Sequence, residues 1–277
     1  MDRDDRTRRG PGGGGQHGGR LGLPDRALQL FRQPAGHETA MSGQPSHPFD
    51  PIARQYEAVL DRALAPTGEG RAHFAQRRVA FLRECLERLG ARCPRVLDFG
   101  CGDGATVPLL ATLPGVESVT GVDPSPASLA VARERHGGPA RRFLSPAEAE
   151  TESAVFDLVY TNGVFHHIEP AQRPPTLAWI RERLKPGGWL AFWENNPWNP
   201  GVRWLMRRTP FDADARPLSA AESRRLIQAA GFRIERTDFW FLFPRVLRWL
   251  RWLERPLSPW PLGGQYQVLA RKPSGAR

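Results

Sequence analysis

Long apolar runs are the first thing missing from this sequence of 277 residues. Nothing in it approaches the ~18 consecutive apolar residues that a membrane-crossing helix needs. The N-terminal stretch MDRDDRTRRGPGGGGQHGG lacks the apolar centre of a secretory signal. Cysteine is scarce. Cys85, Cys93 and Cys101 form neither a paired framework nor a CxxC, so no disulfide scaffold and no metal site are expected. A reducing cytoplasm is the simplest location. Lysine is nearly absent, Lys185 and Lys272 being the only two, so almost all the positive charge is arginine.

What is present is ordinary for a globular chain: 40% hydrophobic and 25% charged residues, enough for one large α/β domain. The net charge is +10, yet Arg203 to Arg277 alone carries 15 basic against 6 acidic residues, a surplus of 9. The basicity therefore lies away from the motifs described below. Without a recognisable binding module it does not indicate nucleic acid.

Residues 1–46 are rich in Gly, Arg and Pro without periodicity and read as a disordered tail, with Met41 a candidate start. A single domain over 47–277 is expected to follow. Apolar residues at helical spacing predict helices at Arg54–Ala65 and Ala72–Leu89. Short apolar runs then alternate with amphipathic segments, the pattern of a parallel sheet with crossover helices. Strands are expected at Arg95–Phe99, Val116–Val122, Ala140–Leu144, Phe156–Thr161 and Trp189–Glu194, with helices at Ala105–Leu113, Pro126–Arg135 and Thr176–Leu184. A Pro- and Trp-rich segment, 196–218, precedes a helix at Ala220–Ala230 and strands at Arg233–Phe243 and Gln265–Arg271. No internal repeat stands out.

The strongest motif is Val96-Leu97-Asp98-Phe99-Gly100-Cys101-Gly102-Asp103-Gly104, a strand followed by alternating glycines and a helix start. Glycine belongs where backbone turns sharply and a ligand presses against it. A nicotinamide-dependent oxidoreductase also fits the loose glycine pattern. Asp98 opposes that reading, because a carboxylate there would face a pyrophosphate, whereas it suits an ammonium group. A ligand with ammonium and carboxylate is an amino acid, and S-adenosylmethionine carries one. Asp123, at the end of the next strand and 21 residues after Gly102, sits where such sheets place an acceptor for ribose hydroxyls. Ser125 is then free to cap the following helix.

In this order VLDFGCGDG, GVDPS, FDLVYTNGVFHHI and LKPGGWLAFWE resemble the core of the class I S-adenosylmethionine-dependent methyltransferases, particularly the small-molecule group. The resemblance covers residues 95 to about 195. It implies an α/β, Rossmann-like seven-stranded sheet with helices on both faces and an antiparallel last strand. It also implies S-adenosylmethionine as cofactor, with Asp98, Gly100, Cys101 and Gly102 at the methionine end, Asp123 and Pro124 at the ribose, and Asn162 bordering the methionine. The family's adenine-contacting Asp is missing here. The loop reads Ser145-Pro146-Ala147-Glu148, so Ala147 and Glu148 are the stand-ins.

Catalytic candidates belong at the carboxyl ends of the fourth and fifth strands. His166 and His167 can take a proton, and Glu194 can meet polar groups of an acceptor. Their plainer readings are packing for the histidines and, for Asn195 and Asn196, turn formation. A nucleobase-methylating box is absent, because Asn196-Pro197-Trp198 comes one strand too late. The expected acceptor is a small or lipid-linked molecule methylated on oxygen. Residues 196–218 and 244–263 would stand on its side of the site. A non-catalytic cofactor-binding partner protein stays open beside the enzyme.

Residues 244–255 read as a basic amphipathic helix. At the α-helical period Arg245, Arg248, Arg251 and Arg255 share one side; Val246, Trp249, Leu250 and Leu253 share the other. Packing on the sheet or closing as a lid is the preferred reading over peripheral membrane contact.

Overall fold

The computed structural model describes residue 47, residues 49–209, residue 212 and residues 215–275. The N-terminal tail, Pro210 and Phe211 lie outside the described residues. Seven strands form one mixed sheet in the order β3-β2-β1-β4-β5-β7-β6. They are β1 (Arg95–Phe99), β2 (Ser118–Val122), β3 (Arg141–Leu144), β4 (Phe156–Asn162), β5 (Leu184–Asn195), β6 (Arg233–Trp240) and β7 (Gln265–Arg271). Strand β7 runs antiparallel between β5 and β6, and β1 to β5 are parallel. This is the expected Rossmann-like α/β sheet.

Central strands buried on both faces need continuous apolar runs, and β1 and β4 supply them. One face packs Leu97, Phe99, Val159 and Phe192 against α5 (Arg173–Arg183) and α7 (Ala220–Ala229). The other packs Val96, Leu158, Tyr160 and Trp193 against α2 (Arg71–Arg88) and α4 (Pro126–His136). Ser125 caps α4 by accepting from the Ser128 amide. Ser219 and Glu222 form a reciprocal capping box at the start of α7. Asp157 has a structural role, holding the Arg95 amide and the Lys185 ammonium.

Three elements differ from expectation. The helix predicted at Ala105–Leu113 shrinks to α3, Val107–Leu110, flanked by turns. Strand β6 stops at Trp240 instead of Phe243, because Phe241 takes a left-handed backbone (φ 66°) that no strand continues through. Strand β5 starts at Leu184, earlier than Trp189, with a pairing irregularity against β4.

The N-terminal helices, α1 (Tyr56–Leu64) and α2, fold over the carboxyl edge of the sheet. Ser125 donates to Asp50 at 2.6 Å and Arg71 pairs with Asp103 at 2.8 Å. These two contacts fasten the cover to the loops after β2 and β1.

Candidate active site

Strand β1 ends in a loop with Gly100 at φ 74° and Gly102 at φ 54°. A Cβ on Gly100 would lie 2.3 Å from Val164, so the loop after β4 packs directly on that backbone. A Cβ on Gly102 would meet nothing within 4 Å. Gly102 faces open space, the cavities that both glycines line.

Two cavities meet here. One, about 540 Å³, is lined by Asp98, Gly100, Cys101, Gly102, Tyr160 and Asn162 beneath α1 and α2. The other, about 110 Å³, is bounded by Asp123, Pro124 and Ser128 on the sheet side and by Phe49 and Ala53 above. Asp98 is 3% exposed, and among the described residues its Oδ2 and the Oδ1 of Asn162 find no hydrogen-bond partner. Burial, then the nearby Asp123 carboxylate, pushes the Asp98 carboxyl up to about 8. Two orphaned acceptors on one cavity wall need a donor. An ammonium group supplies three.

Asp123 accepts from the Gly102 amide at 2.8 Å and the Ser125 amide at 2.9 Å. Burial raises its carboxyl to about 6 against these amides, which favour the ionised form. Cys101 is a buried thiol whose pKa burial lifts well above the ordinary value, so it serves as wall and not as nucleophile. Ala147 and Glu148 are exposed and line neither cavity. Glu148 turns back to accept from the amide and hydroxyl of Ser145, closing the turn after β3. The side chain spent on that turn is the one expected at the adenine.

The backbone amides of this loop are largely committed. Gly100 and Cys101 donate to the Val122 carbonyl, and Gly102 to Asp123. The sequence reading missed Arg78. This guanidinium is 7% exposed, lines the larger cavity, and bonds only the uncharged Tyr160 hydroxyl and Gln265 amide oxygen. It makes no ion pair among the described residues. Its signal in the sequence was only an arginine on the apolar face of α2.

A third cavity, about 430 Å³, opens beside the first two, sharing Tyr56 and Asn162 with both and Gly163 with the smaller. Leu60, Leu64, Phe74, Val202, Leu205, Met206, Phe241 and Phe243 make its wall mainly apolar. His167 lines both this cavity and the 110 Å³ one. Burial and the acidic neighbours push the Tyr56 phenol up, keeping it an un-ionised hydroxyl.

The two histidines are divided by their surroundings. His166 Nδ1 lies 2.6 Å from Glu194, whose other oxygen accepts from the Phe165 amide at 2.7 Å. His166 Nε2 lies 3.5 Å from Asp212. Burial opposes charge on His166, but Glu194 and Asp212 outweigh it and lift the imidazole to about 10. His167 Nε2 also approaches Asp212, at 3.4 Å, while burial and then the charge on His166 lower His167 to about 2. Imidazolium and neutral imidazole thus stand side by side, the first buried and the second partly open to the cavities. Glu194, 1% exposed, lies behind His166 and lines none of the three cavities, so it does not meet the acceptor. The donor atoms of His166, His167 and Asp212 all lie within 4.8 Å of one another, a grouping invisible to cysteine spacing.

These groups set the pH response of the protein without its cofactor. Asp98 is easier to protonate when folded, so its destabilising effect grows as pH rises from about 4 to about 8. The His166 contribution is complete below 6.5 and is lost as pH rises through about 10. Both have the same sign. The melting temperature is expected to be higher at pH 6 than at pH 9, which scanning calorimetry checks.

Comparison with known proteins agrees with this architecture. A family model described as a methyltransferase domain matches residues 97–190. A Mycolicibacterium smegmatis protein named "Probable S-adenosylmethionine-dependent methyltransferase" is 32% identical over 190 residues, 65% of this chain and 69% of its own. The chain belongs to the S-adenosylmethionine-dependent methyltransferase family. Trans-aconitate 2-methyltransferase of Methylobacterium nodulans is 35% identical over 161 residues, covering 54% of this chain and 59% of that protein. Another relative, from Synechococcus, is matched over only 24% of its length, so the chain spans between a quarter and three fifths of these two proteins.

Among solved structures, a TehB-like methyltransferase from Corynebacterium glutamicum superposes with a TM-score of 0.51 at 19% identity, over 80% of this chain and 98% of that one. The [4+2]-cyclase SpnF superposes at 0.53 with 20% identity, over 85% and 100%. The fold alone therefore does not decide the reaction.

Proposed function

We propose that this chain transfers the methyl group of S-adenosylmethionine to a hydroxyl of an apolar or lipid-linked acceptor. The observation that carries the reading is His167, a neutral imidazole lining both the Asp98–Asp123 cleft and the apolar 430 Å³ cavity. When bound, S-adenosylmethionine supplies a methyl group already activated on a sulfonium. Asp98 and Asn162 would hold its ammonium, Arg78 its carboxylate and Asp123 its ribose. The protein then has to align the acceptor, exclude water and remove one proton. Helices α1 and α2 cover the cleft. Tyr56 and Asn162 border all three cavities and fix the junction. His167 accepts a hydrogen bond from the hydroxyl and takes its proton only as the oxygen is methylated and becomes strongly acidic. An imidazole lowered to about 2 does not deprotonate a free hydroxyl. Asp212 orients the ring, and His166 cannot act, since Glu194 and Asp212 hold it charged.

A tricarboxylate acceptor, as in the trans-aconitate relative, fits less well. Of the arginines along the apolar cavity, Arg71 pairs with Asp103, Arg77 with Glu254 and Arg251 with Glu69. Only Arg78 is left without a carboxylate among the described residues. Incubation of a lipid-soluble and a water-soluble metabolite fraction with methyl-labelled cofactor tests the choice. Label entering only the water-soluble fraction would overturn the apolar reading. Absence of S-adenosylhomocysteine would instead favour a cyclase-like or non-catalytic protein.

Gly102→Ala gives a sharper check of the cleft. Its Cβ costs ~1–2 kcal/mol in left-handed backbone but clashes with no protein atom. It would stand in the cleft instead. Cofactor affinity measured by calorimetry should therefore fall about tenfold or more, beyond what the modest drop in melting temperature implies.

A further inference from the structure

The segment Arg245–Leu253 is a 3-10 helix, not the α-helix its amphipathic pattern predicts, and none of its residues is buried. Its sequence, RVLRWLRWL, is a three-residue repeat. Leu247 leaves helical geometry (φ −106°, ψ 22°), so the segment is kinked there. Beyond the kink side chains three apart eclipse, aligning Arg248 with Arg251, Trp249 with Trp252 and Leu250 with Leu253, and residues 245–247 continue the repeat ahead of it. Arg245, Arg248 and Arg251 make one row of the repeat. Leu247, Leu250 and Leu253 form the second and are the more sheltered. The third row is Val246, Trp249 and Trp252, exposed by 81%, 68% and 71%. Packing on the sheet, one of the two readings preferred from sequence (the other a lid), would have hidden this row. It faces outward.

The row is not isolated. Among the described residues nine large hydrophobic side chains are exposed, and all but Leu89 come from 198–262: Trp198, Trp204, Val246, Leu247, Trp249, Trp252, Trp260 and Leu262. The two contributing stretches are tied together, since Asn196 donates to the Pro261 and Gly263 carbonyls and Asn199 to that of Leu262. Both stretches line the apolar cavity, through Val202, Trp204 and Leu205 on one side and Phe243, Pro244 and Arg251 on the other. Arginine runs through the same surface: Arg203, Arg207 and Arg248 are exposed and make no ion pair among the described residues.

We infer that this Trp/Arg face seats the protein on an anionic phospholipid bilayer, with the apolar cavity opening toward the lipid. The inference rests on the apolar-acceptor reading and names where that acceptor comes from. Indole rings prefer the interface between headgroups and acyl chains, and interleaved guanidinium groups meet anionic phosphates. The surplus of 9 positive charges in residues 203–277 has the matching sign. A second copy of the chain is a poorer occupant. A two-fold contact places a patch against itself, which would set these arginines against one another. No helix among the described residues is long and apolar enough to cross a membrane, so the contact is superficial.

Sedimentation of the full chain with phosphatidylglycerol-rich vesicles tests this, with phosphatidylcholine vesicles as control. Binding to the anionic vesicles is expected, with a blue shift of tryptophan emission and a loss of affinity as salt rises. The double variant Trp249→Ser/Trp252→Ser should bind them at least tenfold more weakly, and Arg248→Glu should also weaken binding. Neither side chain set lines a cavity, so cofactor affinity and melting temperature should stay within experimental spread. Three results would overturn the proposal: wild-type protein left in the supernatant, a double variant that binds undiminished, or a dimer in ultracentrifugation that the same variants dissociate. Cofactor calorimetry reports separately on the methyltransferase reading, because vesicle binding without cofactor uptake would sink that reading alone.

Discussion

Replacing Asp98 with Asn is expected to weaken S-adenosylmethionine binding roughly 10- to 100-fold, the range for losing a charge-assisted hydrogen bond. The substitution keeps the shape and removes only the charge. The same variant without cofactor should melt no lower than wild type, because Asp98 Oδ2 has no partner to lose among the described residues. A signature separates this from a general disturbance. With its carboxyl lifted to about 8, Asp98 is mostly protonated at pH 7 before binding. An arriving ammonium favours the ionised form, so uptake should release up to one proton. The calorimetric enthalpy of wild type should then vary with the ionisation enthalpy of the buffer, and that of Asp98→Asn far less. Equal affinity in the two proteins would remove Asp98 from the cofactor site.

His167→Gln is expected to lower kcat by roughly tenfold, the worth of a hydrogen bond that positions the acceptor hydroxyl, with cofactor affinity changed less than about threefold. The pH profile carries further information. Burial and the adjacent imidazolium hold His167 neutral, so kcat should be flat between pH 6 and 8, without the inflection of an ordinary histidine near 6.5. Such an inflection, or an undiminished kcat in the variant, would move the proton elsewhere. His166→Gln should behave differently. It leaves Glu194 buried with an uncompensated charge, so melting temperature should drop along with activity.

The motif that ends β1 was legible because its pattern is local. A strand, two glycines and an acid two residues before them lie on one short stretch, and β1 matches its predicted bounds of Arg95–Phe99. Period-two and period-3.6 patterning likewise placed β7 at Gln265–Arg271 and α7 within one residue. Readings failed where a side chain had more than one use. Glu148 closes its own turn, and Glu194 is consumed by His166 and the Phe165 amide. The 244–255 segment failed for another reason. A three-residue repeat also scores as amphipathic at the α-helical period, so sequence alone assigned an α-helix where the segment is 3-10.

By itself the sequence determined the strands, their order along the chain and the glycine loop after β1, since each follows from residues within a few positions of one another. Tertiary structure alone decided that Arg78, from α2, reaches the same cavity as Asp98, and that Asp212 stands between two histidines 45 or more positions away. It also decided that Trp204 and Phe243, from two stretches far apart in the chain, line one cavity. Those pairings depend on which loops the closed sheet brings to its carboxyl edge, and no local period encodes contacts made across so long a stretch of chain.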